Sequence, residues 1–287
     1  MRSISRMLAV SLLVFIAVGS GSAQDKGAKL RFGVGPLQPT PTETKKAYEP
    51  FFAHVAKQLG RDFDLVATTD WAGISVALAN GQVDLAWMGP WGYILAHDDS
   101  GVRAIATAKY DGKPIYHAIV VCGPGKVKSW PEGAKGKRVS FADVGSTSGW
   151  LIPTAWFKTK SLNPKEYFAY SDGATHAANE ISVQSGQVDC ATDFDRNRNA
   201  MIEGGKLERN ATEVVWTSDP LPNDAIAVPK NFDPALARRI QQMLVEITEA
   251  QAKTMLPNHY TGFVAASHES YKMIEDAGVL VGRIKKK

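Results

Sequence analysis

Cysteine is almost missing: Cys122 and Cys190 are the only two in 287 residues. Two thiols cannot build a disulfide framework or a cysteine-rich zinc site. The six histidines, His54, His97, His117, His176, His259 and His268, show no metal-ligand spacing. No Gly-x-Ser-x-Gly nucleophile elbow occurs. These gaps argue against a hydrolase and give an expectation of no enzyme activity and no cofactor. Charge of one sign is also lacking: 33 basic residues face 29 acidic ones, a formal net charge of +4. The single basic run, Lys285-Lys286-Lys287, reads as a solvated tail, so nucleic acid is not an expected partner. Low-complexity segments and long linkers are absent as well.

Long apolar runs are missing too, with one short exception. Arg2 and Arg6 precede an uncharged stretch from Met7 to Val18, followed by Gly19, Ser20, Gly21, Ser22 and Ala23. That run is too short to span a bilayer and has the layout of a cleaved secretory leader ending after Ala23. Losing Arg2 and Arg6 lowers the formal charge to +2. In an exported chain the two cysteines could pair, or remain as two buried thiols. Both lie in strand-like stretches, and the sequence leaves the choice open.

What is present is a regular alternation of strands and helices. Lys29 to Val34 alternates as a strand. A helix from Thr42 carries Tyr48, Phe51, Phe52, Val55 and Leu59 at helical spacing and stops at Gly60. Strands at Phe63–Ala67 and Val83–Met88 follow, each leading through a turn into a helix. A second set begins after the strand Tyr116–Cys122, with strands at Lys137–Phe141, Tyr167–Tyr170 and Val188–Thr192. Asn80-Gly81-Gln82-Val83-Asp84 in the first set recurs as Ser185-Gly186-Gln187-Val188-Asp189 in the second. Further strands are expected at Val214–Trp216 and Asp224–Val228, a helix from Asp233, and a last helix from Ser267 to Ala277 closed by Gly278. This order predicts two α/β halves whose sheets are mainly parallel, with ligands gathered beyond the carboxyl ends of the strands.

One stretch stands out at such a strand end: Gly145-Ser146-Thr147-Ser148-Gly149-Trp150, directly before a helix. The first amides of a helix have no internal acceptor and carry partial positive charge. Three hydroxyl residues add rotatable donors, so an oxyanion can sit there without any Lys or Arg. A plain helix cap would need only one of them. Trp71 and Tyr93 also lie just past strand ends and are expected as pocket walls rather than core.

Several segments resemble the phosphonate/phosphite-binding family of ABC importer components. They are Val83-Asp84-Leu85-Ala86-Trp87-Met88-Gly89-Pro90-Trp91-Gly92-Tyr93, Gly145-Ser146-Thr147-Ser148-Gly149-Trp150-Leu151-Ile152-Pro153 and Gly173-Ala174-Thr175-His176. Asp193-Phe194-Asp195-Arg196-Asn197-Arg198-Asn199 and Leu221-Pro222-Asn223-Asp224-Ala225-Ile226 resemble its phosphite and hypophosphite branch. The resemblance implies a type II periplasmic binding protein with two lobes, two hinge crossovers and a ligand cleft. It implies a leader at 1–23, a first lobe at 24–116, a second at 117–223, and a return to the first at 224–287. It also implies a monomer in the periplasm that delivers a small oxyanion to a membrane permease.

Carried over by residue, Ser146, Thr147 and Ser148 become the oxyanion cup, Tyr93 a hydroxyl donor and His176 a cleft residue. Asp195 and Asp224 become acidic cleft positions, with Asp193 competing for the place of Asp195. Trp71 stands where related binders often carry Tyr, which implies an apolar wall. A carboxylate facing an anion is useful only if the ligand still carries a proton, so Asp195 and Asp224 would favour phosphite over sulfate. Alkylphosphonate, hypophosphite and phosphate remain alternative ligands; a hydrolase or a sensor-linked receptor is the alternative class.

Overall fold

The computed structural model describes residues 28–285; the expected leader at 1–23 lies outside the described residues. Strands β1 (Leu30–Val34), β2 (Phe63–Ala67) and β3 (Leu85–Met88) run parallel, with β1 between the other two. Helix α1 (Pro41–Leu59) joins β1 to β2; Thr40 caps it and Gly60 ends it in the left-handed region, φ 67°. Its buried face, Tyr48, Phe51, Phe52 and Val55, follows the spacing legible in the sequence. Phe51 and Tyr48 pack edge-on against Trp87 of β3, centring one core on aromatic rings. Helix α2 (Trp71–Ala79) is capped by Asp70, whose Oδ1 accepts from Gly73 N–H at 2.7 Å. Helix α3 (Pro90–Ser100) follows β3 directly.

Strand β4 (Arg103–Tyr110) was not expected, because an alanine-rich stretch is a weak strand former. The chain then crosses, by way of β5 (Ile115–Tyr116), into a second sheet made of β6 (Ala118–Cys122), β7 (Arg138–Ala142), β8 (Ala169–Ala174), β9 (Cys190–Phe194) and β10 (Glu213–Thr217). Helices α4 (Ile152–Thr159), α5 (Pro164–Tyr167), α6 (His176–Gln184) and α7 (Asp195–Glu203) connect these strands. The return passes through β11 (Leu221–Pro222), which pairs antiparallel with β5. Strand β12 (Ala225–Val228), helices α8 (Pro234–Val245) and α9 (Glu249–Met255), strand β13 (Tyr260–Ala265) and helix α10 (Lys272–Leu280) complete the fold.

The strand orders are β13-β4-β12-β3-β1-β2 and β10-β6-β9-β7-β8. Each sheet is parallel at the strands of its repeated half and antiparallel beyond, so the sheets are mixed. The recurring Gln-Val-Asp segments do the same job twice. Asp84 takes the Arg31 amide and guanidinium, at 2.8 and 2.6 Å, and Asp189 takes those of Arg138, both at 3.0 Å. Each fork ties the start of the first strand of a half to the start of its third.

Gly278 does not end the last helix. It lies inside α10, where an added Cβ would fall 2.5 Å from the Trp91 ring, so the missing side chain admits the indole. Cys122 and Cys190 face each other across β6 and β9 and form a disulfide spanning 68 residues. A crosslink of this loop length is worth roughly 2–4 kcal/mol through its effect on the unfolded chain. Urea unfolding with and without reductant should show a loss of that size; equal midpoints would count against it.

Candidate functional site

The second half opens its first crossover with an unusual turn. Residues Thr147–Leu151 form a π-turn, with Leu151 N–H donating to Ser146 carbonyl at 3.0 Å. The Gly149 carbonyl, four residues before Pro153 and so without an α-helical amide donor, accepts from the Thr192 hydroxyl at 2.6 Å. Gly149 is required by close packing: a Cβ there would lie 2.3 Å from Ala142 Cβ and 2.7 Å from His176 Cε1. The turn thus lies flat on β7 and β9, with Ser146, Thr147 and Ser148 presented at the strand ends and all three buried.

These hydroxyls line a cavity together with Leu37, Trp71, Gly89, Tyr116, His176, Phe194, Arg196 and Asp224. Its volume is about 20 Å³, a little above the roughly 10–15 Å³ that one water needs. The cavity lies where the two halves meet. Trp71 enters from the first half, its ring against Gly35 and Gly89; a Cβ on Gly35 would come within 2.5 Å of it. Asp224, on the return crossover, is buried and accepts from Trp87 Nε1–H at 3.1 Å and Tyr260 hydroxyl at 3.4 Å. Burial raises its pKa, while the nearby Arg196 charge opposes that rise. His176, at the start of α6, meets Ser146 Oγ through Nε2 at 2.9 Å; burial lowers its pKa to about 4, so it is neutral at pH 7.

Two expected residues lie elsewhere. Tyr93 is fully buried inside the first half, its hydroxyl 3.2 Å from His268 Nδ1 and its ring against Tyr271. Gly89 is the N-cap of α3, so Tyr93 falls a full turn past the end that points at the cavity. Asp195 does not line the cavity either. It accepts from the amides of His117 at 3.2 Å and Arg196 at 2.8 Å, fastening the start of α7 to β6. Asp193 is also behind the wall, fully buried next to His176.

Tyr116 and Arg196 were missed. The Arg196 guanidinium lies 4.8 Å from the Tyr116 ring centre and 4.9 Å from that of Tyr110, in cation–π range. Its Nε and Nη1 are buried with no hydrogen-bond partner. The expectation of a cup without a cation is therefore corrected: a charged donor stands at its wall. Arg196 follows the end of β9, and position past a strand end was the signal that could have found it; within Asp195-Arg196-Asn197-Arg198 it looks like a solvated helix face.

The halves touch above the cavity. Helix α3 has no side-chain cap of its own, and Trp91 N–H donates instead to Thr147 Oγ1 of the opposite half at 2.8 Å. Trp91 Nε1–H donates to the Val144 carbonyl at 3.1 Å. Gly145 backs onto α2 so closely that a Cβ would stand 2.6 Å from Ala72 N.

Residues 32–271 match the model of a family described as the phosphonate periplasmic substrate-binding protein of ABC transporters. The chain belongs to that family. It is 26% identical over 218 residues to the phosphate-import protein PhnD of Mycolicibacterium smegmatis, covering 71% of this chain and 68% of that one. It is 27% identical over 219 residues to the phosphonates-binding periplasmic protein of Escherichia coli, covering 73% of this chain and 63% of the relative's length. A binding protein component of an ABC phosphonate transporter from Pseudomonas aeruginosa superposes with a TM-score of 0.80 at 22% identity, over 88% of this chain and 86% of the other. PhnD1 of Prochlorococcus marinus, solved with methylphosphonate, gives 0.78 at 18% identity, over 89% and 98%. The fold is that of the type II periplasmic binding proteins, and the family places the protein in the periplasm as a substrate-binding component of an ABC importer.

The close approach at Gly145 gives a test of closure. Gly145→Ala should cost the closed arrangement about 1–3 kcal/mol, weakening oxyanion binding about 5- to 150-fold with little change in melting temperature. Unchanged affinity would mean the lobes need not meet there.

Proposed function

We propose that this protein captures phosphite, or a closely related small phosphorus oxyanion, and presents it to the permease of an ABC importer. The observation that carries the reading is the composition of the 20 Å³ cavity: hydroxyl and guanidinium donors, one carboxylate and one indole wall. The donors are Thr147, Ser148, Tyr116 and Arg196. Asp224 accepts a P–OH from a ligand that keeps its proton, which a fully ionised sulfate cannot offer. The Trp71 face suits a P–H and leaves a fourth phosphate oxygen without a partner. The small volume favours an inorganic ion over a long-chain phosphonate.

In this reading the lobes are residues 24–116 with 224–287, and 117–223, after a leader at 1–23. The ligand contacts proposed are Trp71, Tyr116, Ser146, Thr147, Ser148, His176, Arg196 and Asp224, and closure is a hinge motion of a monomer. Methylphosphonate is the second reading, supported by its presence in the Prochlorococcus relative.

Calorimetry of the mature protein against phosphite, hypophosphite, methylphosphonate, phosphate and sulfate decides among these. Phosphite should bind tightest, and Trp71→Ala should narrow its lead over phosphate. Thr147→Ala, Ser148→Ala and Arg196→Gln should each weaken binding by about 1–3 kcal/mol. Equal affinity for phosphate and phosphite in the unmodified protein would defeat the assignment.

A further inference from the structure

Helix α7 brings Arg196 to the cavity wall at its start and ends at Glu203. The two lie seven residues apart, two helical turns, and so share one face of the helix. That face meets the last residue of β4 and the first of β13 in the six-stranded sheet. The Arg196 guanidinium lies 4.9 Å from the Tyr110 ring centre and 5.8 Å from that of Tyr260. Tyr110 in turn stacks on His259, with ring centres 5.2 Å apart and planes 18° apart. His259 Nε2 stands 3.0 Å from Glu203 Oε2, and its Nδ1 stands 3.0 Å from Asp111 Oδ1. Asp111 and His259 adjoin strands of the first sheet, whereas Glu203 follows a strand of the second, so the ring bridges the halves.

The backbone holds that ring in place. His259 and Asp111 both adopt the left-handed region, φ 70° and 47°, although neither is glycine. Asp111 N–H donates to the His259 carbonyl at 2.8 Å and Gly112 N–H to Thr261 Oγ1 at 3.0 Å, so the two turns fix each other. A neutral imidazole has one donor nitrogen and one acceptor nitrogen. Between two carboxylates it turns a lone pair on one of them, and only the imidazolium donates to both. The His259 pKa is accordingly raised, by the Asp111 hydrogen bond most, with Glu203 adding to the rise and burial opposing it. Tyr110 beside the ring is neutral, its pKa pushed up to about 12 by burial, with Arg196 and Asp195 near it. Lys109 and Lys113 border the same turn, and Lys206 beyond α7 reaches Glu43 of α1 at 4.0 Å, also across the halves.

Resting on the reading of a hinged oxyanion binder, we propose that His259 and Glu203 are positioning residues: their bond across the halves seats α7, and with it Arg196, against the cavity when His259 is protonated, so that mild acid tightens binding. The sign follows from the direction of the shift. The contribution is complete below the ordinary histidine range and is lost as the pH rises through the raised value. The two side chains are 35% and 57% exposed, so the effect is a few-fold, and salt weakens it.

Whatever protonation does for binding, binding does for protonation. Proton–carbon NMR of the mature protein at low salt follows the His259 ring from about pH 5 to 9, without and with saturating phosphite. Phosphite should raise the His259 midpoint by about 0.3–0.7 pH, which corresponds to a roughly two- to fivefold tighter complex. Calorimetry at about pH 5.5 and 8.5 reads the same coupling from the other side. The loss of phosphite affinity on raising the pH should be about two- to fivefold smaller in Glu203→Gln than in wild type. The titration of phosphite itself is common to both proteins and cancels. A midpoint that phosphite does not move, or an identical pH profile in Glu203→Gln, overturns the proposal. If neither phosphite nor methylphosphonate binds, the oxyanion reading falls, and the bridge is judged on the ligand-free protein. There Glu203→Gln should lower the His259 midpoint, and an unchanged midpoint overturns the bridge as well.

Discussion

The hydrogen bond from Trp91 N–H to Thr147 Oγ1 is the contact on which the site depends. Helix α3 starts at Pro90 with no side-chain cap, so its first free amide needs an acceptor. That acceptor comes from the other half of the molecule and is a member of the cup. Once Thr147 accepts from α3, its own hydroxyl hydrogen is directed elsewhere, and the cavity is the open direction. Joining the halves and turning the Thr147 hydroxyl toward the cavity are therefore one arrangement. Trp91 strengthens the link by donating a second bond to Val144 and packing over Gly278.

An anion enclosed here loses its hydration, and the protein must replace it with fixed partners. Arg196 supplies charge without a hydrogen-bonding partner of its own, held flat against tyrosine rings. In the proposed reading Asp224 supplies the opposite charge and keeps the cavity from attracting every anion equally. Because the guanidinium is preorganised by aromatic faces, little rotamer freedom is left to lose when a ligand arrives.

Much of this was legible in the residue order. Alternating strands and helices, the repeated Gln-Val-Asp segment and the hydroxyl triplet beside a strand end pointed to the two α/β sets, to Trp71 and to Ser146–Ser148; His176 and Asp224 came from the family resemblance, and all of these side chains line the cavity. The failures have physical causes. A strand end gives the place of a side chain but not its direction, and helical rotation turned Tyr93 into the core. Asp195 and Asp193 differ by two residues in a strand-to-helix junction, where one is tied to the His117 amide and the other is buried beside His176. Arg196 was hidden because its partners, Tyr110, Tyr116 and Tyr260, come from distant parts of the chain. Strand β4 escaped notice because alanine carries no strong strand preference and is held there by neighbours on both sides.

The paired forks, Arg31 with Asp84 and Arg138 with Asp189, sit at the ends of the sheets remote from the cavity. Each clamps its own half without involving the other. Stiffness within a half is thereby separated from the equilibrium between halves. A designer could redraw the mouth of this molecule for a new solute, or attach a fluorophore to report its closing, and leave the two scaffolds beneath untouched.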